Sequence, residues 1–335
     1  ELGARFVDFG GWDMPLQYRS VLEEHRAVRT AVGWFDVSHL GRFLWRGKGS
    51  KESLRSLLSN DVEAIGPGRT QYSLLLNEAG GIEDDLLIWW WESELFWVLP
   101  NASTHQMVLD RFRANSPATV SEDLRDRTVM LAVQGPEAPA LLETLLGVSP
   151  KRFRTYETSF GGAPVWLAGT GYTGERGGEI VTDPETAREL AAAMTEAGAT
   201  PCGLGSRDTL RLEAGLLLAG QDFDRQTNPF EARLDFAIGW DHDFVGKRSL
   251  ERVREVGPVR RMTAFALSGR TIPRHGYRLR AGESQGEVTS GNFSPTLGAG
   301  IGLGYLVPPN ESDPEVEIRG VWEPAQRVEL PFYRR

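Results

Sequence analysis

Up to Val256 the chain alternates between helical and strand-like spacing of its apolar positions. Ser20 and Glu23 have the spacing of a capping box ahead of one helical run, and Asp183 followed by Pro184 has the order of a cap and a first helical residue in another. The helices predicted in this way cover residues 20–32, 50–59, 103–112, 136–146, 183–198, 206–214 and 244–255. The predicted strands cover residues 34–45, 70–76, 84–91, 96–99, 129–134, 165–168 and 179–182. Strands and helices therefore alternate in small units.

The pattern changes near Gly257 and Pro258, where we place a domain boundary. From Arg260 onward, short apolar runs are broken repeatedly by glycine and proline, which is typical of an all-β domain. Between Gly298 and Gly304, glycines alternate with apolar residues and no helix follows. A tight β segment is therefore favoured there over a dinucleotide-binding loop.

The composition is that of an ordinary globular protein, with 335 residues of which 40% are hydrophobic and 25% charged. No run of about eighteen apolar residues occurs, so no membrane span is predicted. The net charge is -9 and no four basic residues are adjacent, which argues against sequence-independent binding of nucleic acid. Cys202 is the only cysteine, which excludes a disulfide framework within the chain and favours a reducing compartment. Because no basic and apolar leader follows Glu1, we expect a cytoplasmic protein.

Sequence templates for common catalytic centres are absent. The chain has no His-Glu-x-x-His, no phosphate-binding Gly-x-x-x-x-Gly-Lys, no Cys-x-x-Cys and no Gly-x-Ser-x-Gly. Its five histidines are scattered without the spacing of metal ligands, which favours structural or surface roles for them. We therefore expect no metal site.

The polar residues of the predicted hairpin are the most informative ones. Asp84 and Asp85 begin a strand otherwise made of Leu, Ile and Trp, although aspartate is a poor strand former. Because side chains alternate along a strand, the two carboxylates should face opposite ways. If the turn is residues 77–80, Tyr72 lies directly opposite Asp85, whereas a slip of one residue places them on different faces. The alternative interpretation is that both aspartates merely cap the turn.

Two further segments are rich in glycine and ionisable residues. Residues 171–179 place four glycines around Tyr172 and Glu179, and a flat ligand can approach such a backbone closely. A carboxylate there can accept two parallel hydrogen bonds from the N–C–N edge of a pterin or guanine ring, and an ordinary surface loop is the alternative. In residues 203–215, Arg207 stands in the first turn of a predicted helix, where its charge opposes the helix dipole unless it has a partner. Taken alone, this last segment favours structural ion pairing.

In their order, these segments resemble the T-protein family, the aminomethyltransferases of the glycine cleavage system, over essentially the whole chain. Ordered matches of this number are highly specific. At one position, Leu40, the family commonly has methionine, which is a mild change. The matching segments are residues 11–18, 35–41, 58–62, 72, 77–86, 101–102, 134–136, 172–179, 203–215, 228–232, 286–291 and 294–297.

The resemblance implies an α+β fold of three domains around a central cavity. The first two are α+β domains with antiparallel sheets, and the third is a β-barrel or jelly roll. We accordingly expect a discontinuous folate-binding domain of residues 1–48 and 125–257, a domain of residues 49–124 that carries the hairpin, and a C-terminal barrel domain of residues 258–335.

The resemblance also implies a reaction. In that reaction an aminomethyl group on the lipoyl arm of H-protein gives its methylene to tetrahydrofolate, and ammonia, dihydrolipoyl H-protein and 5,10-methylenetetrahydrofolate are released. Tetrahydrofolate is then the one-carbon acceptor, and lipoylated H-protein is the partner. The resemblance implies no metal, and we expect no flavin, nucleic acid or membrane either.

The resemblance also implies roles for individual residues of this sequence that match functional positions of the family. Asp85 matches the family's catalytic aspartate, and an ionised carboxylate there can stabilise iminium character and move protons. Glu179 matches the family's pterin-binding glutamate. The remaining matches to folate-pocket positions are Tyr72, Tyr172, Arg207 and, in a tail that varies within the family, Tyr333.

The main alternative is a tetrahydrofolate-dependent demethylase of a small methylated compound on the same fold. The set of candidate site residues, together with the motif at residues 35–41, favours the T-protein. A non-catalytic folate-binding protein would carry a Lys-Gly-Cys signature, whereas residues 216–222 contain no cysteine. A flavin-linked sarcosine or dimethylglycine enzyme would need a fused dinucleotide-binding region, which this sequence does not contain.

Overall fold

The computed structural model describes residues 2–116 and 119–335, so residues 117 and 118 of the predicted 49–124 domain lie outside the described residues. The helices are α1 (Val21–Thr30), α2 (Ser50–Leu57), α3 (His105–Asn115), α4 (Ala138–Leu146), α5 (Pro184–Glu196), α6 (Leu204–Glu213) and α7 (Lys247–Val256). The strands are β1 (Arg5–Phe9), β2 (Trp12–Gln17), β3 (Gly33–Asp36), β4 (Phe43–Arg46), β5 (Arg69–Leu76), β6 (Ile82–Glu92), β7 (Leu95–Leu99), β8 (Val120–Asp123), β9 (Val129–Gln134), β10 (Thr155–Phe160), β11 (Ala163–Ala168), β12 (Gly177–Thr182), β13 (Thr200–Pro201), β14 (Arg261–Leu267), β15 (Arg278–Ala281), β16 (Ser284–Ser294), β17 (Ala299–Val307), β18 (Glu315–Ile318) and β19 (Val321–Val328).

Two sheets face each other across a shared apolar layer. One has the order β10-β11-β12-β9-β3-β13 and the other the order β5-β6-β7-β4-β8. Because side chains alternate along β6, Trp89 packs into this shared layer with Ala132 of β9, whereas Ile88 packs on the opposite face with Leu54 of α2. The side chains that line the space between the sheets therefore come from every second residue of these strands.

The C-terminal part forms a closed barrel of order β14-β17-β16-β15-β18-β19. This confirms the prediction of an all-β region after Arg260, and the antiparallel sheets confirm the α+β fold class. The glycine-rich segment is strand β17, as predicted. A Cβ atom on Gly302 would lie 2.5 Å from the Phe265 ring, so glycine lets that ring fill the barrel. The three domain ranges given above stay a prediction.

The caps marked in the sequence are present in the structure. The Ser20 hydroxyl accepts a hydrogen bond from the Glu23 N–H, and the Asp183 carboxylate accepts from the N–H groups of Glu185 and Thr186. One element was predicted wrongly: residues 34–45 form two strands, β3 and β4, which belong to different sheets. The chain turns between them because the fully buried Arg42 guanidinium binds backbone carbonyls of residues 38 and 40.

Glu213, at the end of α6, is the centre of a buried polar network that joins three parts of the chain. Its carboxylate accepts hydrogen bonds from Arg29 of α1 at 2.9 Å, from the hydroxyl of Ser294 at 2.5 Å and from the N–H of Thr296 at 3.1 Å. His25 lies 3.2 Å away. Burial opposes ionisation of Glu213, yet the hydrogen bond and charge of His25, with the other partners, lower its pKa to about 2.

We expect Glu213→Gln to lower the free energy of unfolding at pH 7 by about 3 kcal/mol. A carboxyl group whose pKa is lowered on folding stabilises the protein above its unfolded value near 4.5, and that stabilisation disappears as the pH falls toward 2. Urea titrations of the variant and the wild type at several pH values measure the difference, which should shrink below about pH 4.5. The exposed Glu143→Gln on α4 is the matched control, and a difference between Glu213→Gln and wild type that is independent of pH contradicts the assignment.

Candidate active site

The hairpin of β5 and β6 brings Tyr72 and Asp85 together, although not in the predicted register. Leu74 is opposite Asp85, and Tyr72 is opposite Leu87. The predicted register was wrong because the turn spans residues 77–81 and because Glu83 is an extra residue at a bulge, so that the pairing moves twice by one residue. Two such shifts keep Tyr72 and Asp85 on the same face, and the Tyr72 hydroxyl donates a hydrogen bond to Asp85 Oδ2 at 3.0 Å.

Asp85 lies on the same face of β6 as Leu87 and Trp89, the face toward the six-stranded sheet, and it stays partly exposed. Its second oxygen, Oδ1, accepts a hydrogen bond from Asn101 Nδ2 at 2.6 Å. Burial raises the pKa of Asp85, and the hydrogen bonds from Asn101 and Tyr72 oppose this rise. A carboxylate held at both oxygens and still partly exposed can stabilise a neighbouring cation and exchange protons with it.

Asp84 lies on the other face of β6 and is fully buried. Its oxygens accept hydrogen bonds from the Asn101 N–H at 3.2 Å and from Asn101 Nδ2 at 2.8 Å. Burial, and then the charge of Asp85, raises the pKa of Asp84 to about 7. The interpretation that the aspartates merely cap the turn is wrong, since Asn77 Oδ1 binds the turn N–H groups of residues 79 and 81.

The second part of the site comes from the six-stranded sheet and α6. Glu179 of β12 is buried, with 3% of its surface exposed, and accepts a hydrogen bond from the Thr170 hydroxyl. Burial raises the pKa of Glu179, and the Thr170 hydrogen bond and the Arg207 charge oppose this. The Arg207 guanidinium lies over the Tyr172 ring, 4.6 Å from its centre. Burial lowers the pKa of Arg207, and the charge of Glu179 counters it.

Arg207 and Arg211 behave differently, although they share a face of α6. Arg211 makes the structural ion pairs that the segment suggests, with Asp222 at 2.7 Å and Asp208 at 2.9 Å. Arg207 has a buried Nη1 atom with no hydrogen-bond partner among the described residues. A cation so placed is available to bind a ligand.

The two parts of the site are electrostatic neighbours. Burial is the main reason that the pKa of Tyr172 is raised; Arg211 opposes this rise and the Asp85 charge adds to it. Burial likewise raises the pKa of Tyr72, and Asp85 and then Tyr172 contribute. The structure therefore brings five candidate residues into one region: Tyr72 and Asp85 of the five-stranded sheet, Tyr172 of the loop before β12, Glu179 of β12 and Arg207 of α6.

Tyr333 is placed apart from that group. Its N–H donates to the backbone oxygen of Glu213 at 3.0 Å, and the Arg29 guanidinium lies 4.8 Å from the centre of its ring. Within the described part of the chain, the hydrogen bonds and ring contacts of Tyr333 do not include Tyr72, Asp85 or Glu179. Its role in ligand binding stays a prediction.

Sequence reasoning assigned no role to two residues that the structure places at the site. Asn101 follows the end of β7, next to Asp85, and its position just after a strand beside the two aspartates was a usable signal. Phe236, which is 71% exposed, stacks on Tyr72 with ring centres 5.9 Å apart. It sits in a short 3-10 turn far along the chain, so no sequence pattern pointed to it.

Two other kinds of feature are absent from the described residues. Among the described residues, no group of three or more His, Cys, Asp or Glu side chains is placed to hold a metal ion. No helix within residues 2–116 and 119–335 is long and apolar enough to span a membrane.

The chain matches known proteins along nearly all of its length. Residues 1–242 match the GCVT N-terminal domain, and residues 260–334 match the glycine cleavage T-protein C-terminal barrel domain. It is 44% identical to an aminomethyltransferase of Thermosynechococcus vestitus, over 99% of this chain and 93% of that protein. It is 45% identical to an aminomethyltransferase of Rubrobacter xylanophilus, over 100% of this chain and 92% of that protein. The crystal structure of glycine cleavage system aminomethyltransferase T from Bartonella henselae superposes with a TM-score of 0.91, at 32% identity, over 99% of this chain and 95% of that one.

Proposed function

Because the chain belongs to the glycine cleavage T-protein family of aminomethyltransferases, we propose that it transfers a methylene group from a lipoyl-bound aminomethyl donor to tetrahydrofolate beside Asp85. The activity class, a folate-dependent one-carbon transferase, follows from the full-length relatives. The observation that supports this site best is the pair of hydrogen bonds from Tyr72 and Asn101 that holds both oxygens of the partly exposed Asp85 carboxylate.

The proposed reaction balances without any redox step. The carbon–sulfur bond to the lipoyl arm and the carbon–nitrogen bond to the amine break, and two new bonds join the methylene carbon to two folate nitrogens. Each folate nitrogen gives up one proton, of which one goes to the amine, leaving as ammonia, and the other to the lipoyl sulfur. The carbon carries iminium character between bond breaking and bond formation, and the nearby Asp85 carboxylate stabilises that positive charge.

The residues of the second part of the site fit a pterin ring. A buried glutamate such as Glu179 can accept two parallel hydrogen bonds from an N–C–N edge, and such charge-assisted bonds also replace its lost contact with water. Arg207 offers its unpartnered Nη1, and Tyr172 offers a ring beside it. We propose these residues and Tyr72 as the folate-binding set, with Tyr333 as a peripheral member.

The donor and the location are proposed on family membership. Lipoylated H-protein is the natural donor for a member of a glycine cleavage family, and a cytoplasmic location fits the bacterial relatives. The demethylase alternative is not favoured, because the full-length relatives that the chain matches are named aminomethyltransferase.

We expect the purified chain to release ammonia from aminomethylated H-protein only when tetrahydrofolate is present. Ammonia and 5,10-methylenetetrahydrofolate should appear in equal amounts, because one methylene transfer frees one amine. Coupled assays for the two products measure this, and H-protein without its aminomethyl group is the control. Tetrahydrofolate binding without ammonia release would contradict the proposed donor and would direct the next assay to small methyl donors.

A further inference from the structure

Asp84 is a buried carboxylate that the reaction described above does not use. It has no exposed surface and lies on the face of β6 that packs toward α2 and α3. A charged carboxylate in such a place costs several kcal/mol unless hydrogen bonds replace its contacts with water. Asn101 binds both of its oxygens, through the backbone N–H and through Nδ2, and the Thr104 side chain is a further hydrogen-bonding group beside the carboxylate.

The Asn101 amide links the two aspartates. The nitrogen that binds Asp84 Oδ1 at 2.8 Å also lies 2.6 Å from Asp85 Oδ1 and 3.0 Å from the Asp85 backbone oxygen, so its two hydrogens are shared among three acceptors. An asparagine side chain can turn over and present its oxygen in place of its nitrogen. A carboxylate on each side keeps the nitrogen, and not the oxygen, directed at Asp85.

We propose that Asp84 is a positioning residue that acts through Asn101, fixing the direction of the amide and with it the orientation of the Asp85 carboxylate. The inference rests on the proposed role of Asp85 and extends it. In this proposal Asp84, the residue next to Asp85, contributes to the reaction although it does not contact the substrate.

The charges around the pair determine how this arrangement responds to pH. Asp85 is the neighbouring residue on the same strand, and Tyr72 of β5 and Tyr172 lie on the Asp85 side of that strand. The charges of Asp84 and Asp85 act on each other's surroundings through the strand: Asp85 raises the pKa of Asp84, and Asp84 contributes to the raised pKa of Tyr72. Within the part of the chain that the structure describes, no Lys, Arg or His lies within ion-pair distance of Asp84. Because burial and then Asp85 raise the pKa of Asp84 to about 7, Asp84 gains a proton as the pH falls below that value.

Protonation of Asp84 weakens its hold on Asn101. A protonated carboxyl has one oxygen that donates, so it cannot accept well from both the backbone N–H and the amide nitrogen. The ionised form is therefore the one that positions Asp85. We expect kcat at saturating substrate to fall as the pH decreases through about 7, where the Asp84 pKa lies.

The first test is Asp84→Asn, which keeps the side-chain volume but removes one acceptor. We expect kcat at about pH 8 to fall about tenfold or more, KM for tetrahydrofolate to stay within about twofold, and the inflection near pH 7 to disappear. Asp243→Asn, at a fully exposed carboxylate, is the matched control and should behave as wild type. An Asp84→Asn enzyme with the kcat and pH profile of wild type would show that Asp84 is structural only.

A second test asks whether Asp84 acts through Asn101. We expect Asn101→Ala to lose the same inflection, and the double variant to be no slower than Asn101→Ala within about twofold. This test stands even where Asp84→Asn does not fold, because an Asn101→Ala enzyme that keeps the inflection overturns the proposal. The proposal is also overturned if the two substitutions act independently, so that the loss of kcat in the double variant is the product of the losses in the single variants. An active Asp85→Asn enzyme would instead count against the proposed function itself, so the two failures are distinguishable.

Discussion

Replacement of Asp85 with asparagine should lower kcat by about 10²–10⁴-fold, the usual contribution of a positioned acid–base group. The amide that replaces it is neutral, so it cannot stabilise iminium character or accept a proton at the pH of the assay. It is also nearly the same size, so the packing between the sheets should be preserved. Single-turnover ammonia release from aminomethylated H-protein measures the chemical step directly.

Tetrahydrofolate affinity separates this role from a role in binding. Because Glu179, Arg207 and Tyr172 are the groups proposed to hold the pterin ring, we expect the dissociation constant of the Asp85→Asn variant to change by less than about threefold. Glu92→Gln, an exposed carboxylate at the far end of the same strand, is the control for expression and folding. A large loss of affinity with unchanged kcat would assign Asp85 to binding instead.

Those parts of the fold that depend on short-range sequence patterns were predicted correctly. The caps at Ser20 and Asp183 and the glycine spacing in the barrel depend on neighbours a few residues away, so the sequence pattern contains what determines them. The division of residues 34–45 between two sheets depends on Arg42, whose partners include the carbonyls of residues 125 and 128, far along the chain. No local pattern reports such a contact.

In the candidate site, too, the features that depend on contacts between distant residues could not be predicted from the sequence pattern. Alternation along β6 correctly separated Asp84 from Asp85 by face, but the register of the hairpin depended on a bulge at Glu83. The Asp85 and Glu179 assignments came from the family resemblance and not from the hydrophobic pattern, and their roles stay predictions. The link through Asn101 depends on the end of β7 lying beside Asp84 and Asp85 of β6, which only the folded structure shows.

Replacement of Glu179 with glutamine should mainly weaken folate binding. A charge-assisted hydrogen bond contributes about 1.5–3 kcal/mol, so the dissociation constant for tetrahydrofolate should rise about 10- to 150-fold. The substitution removes the negative charge and turns one acceptor into a donor, which then faces the donors of the pterin edge. Once the enzyme is saturated, kcat should stay within about threefold of wild type, because Asp85 and its two hydrogen-bond partners are unchanged.

The pH dependence of folate affinity provides a second test of the role assigned to Glu179. Because burial raises the pKa of Glu179, the carboxylate gains a proton at a higher pH than an exposed glutamate does, and its hydrogen bonds to the pterin edge are then lost. Affinity of the wild type should therefore fall as the pH is lowered, whereas affinity of Glu179→Gln should be low and flat over the same range. Equilibrium binding of tetrahydrofolate followed by protein fluorescence measures both, with the exposed Glu189→Gln on α5 as the control. Suppose instead that Glu179→Gln and Asp85→Asn lowered the affinity for tetrahydrofolate equally and also reduced kcat by the same factor. The division between a binding carboxylate and a catalytic one would then be wrong.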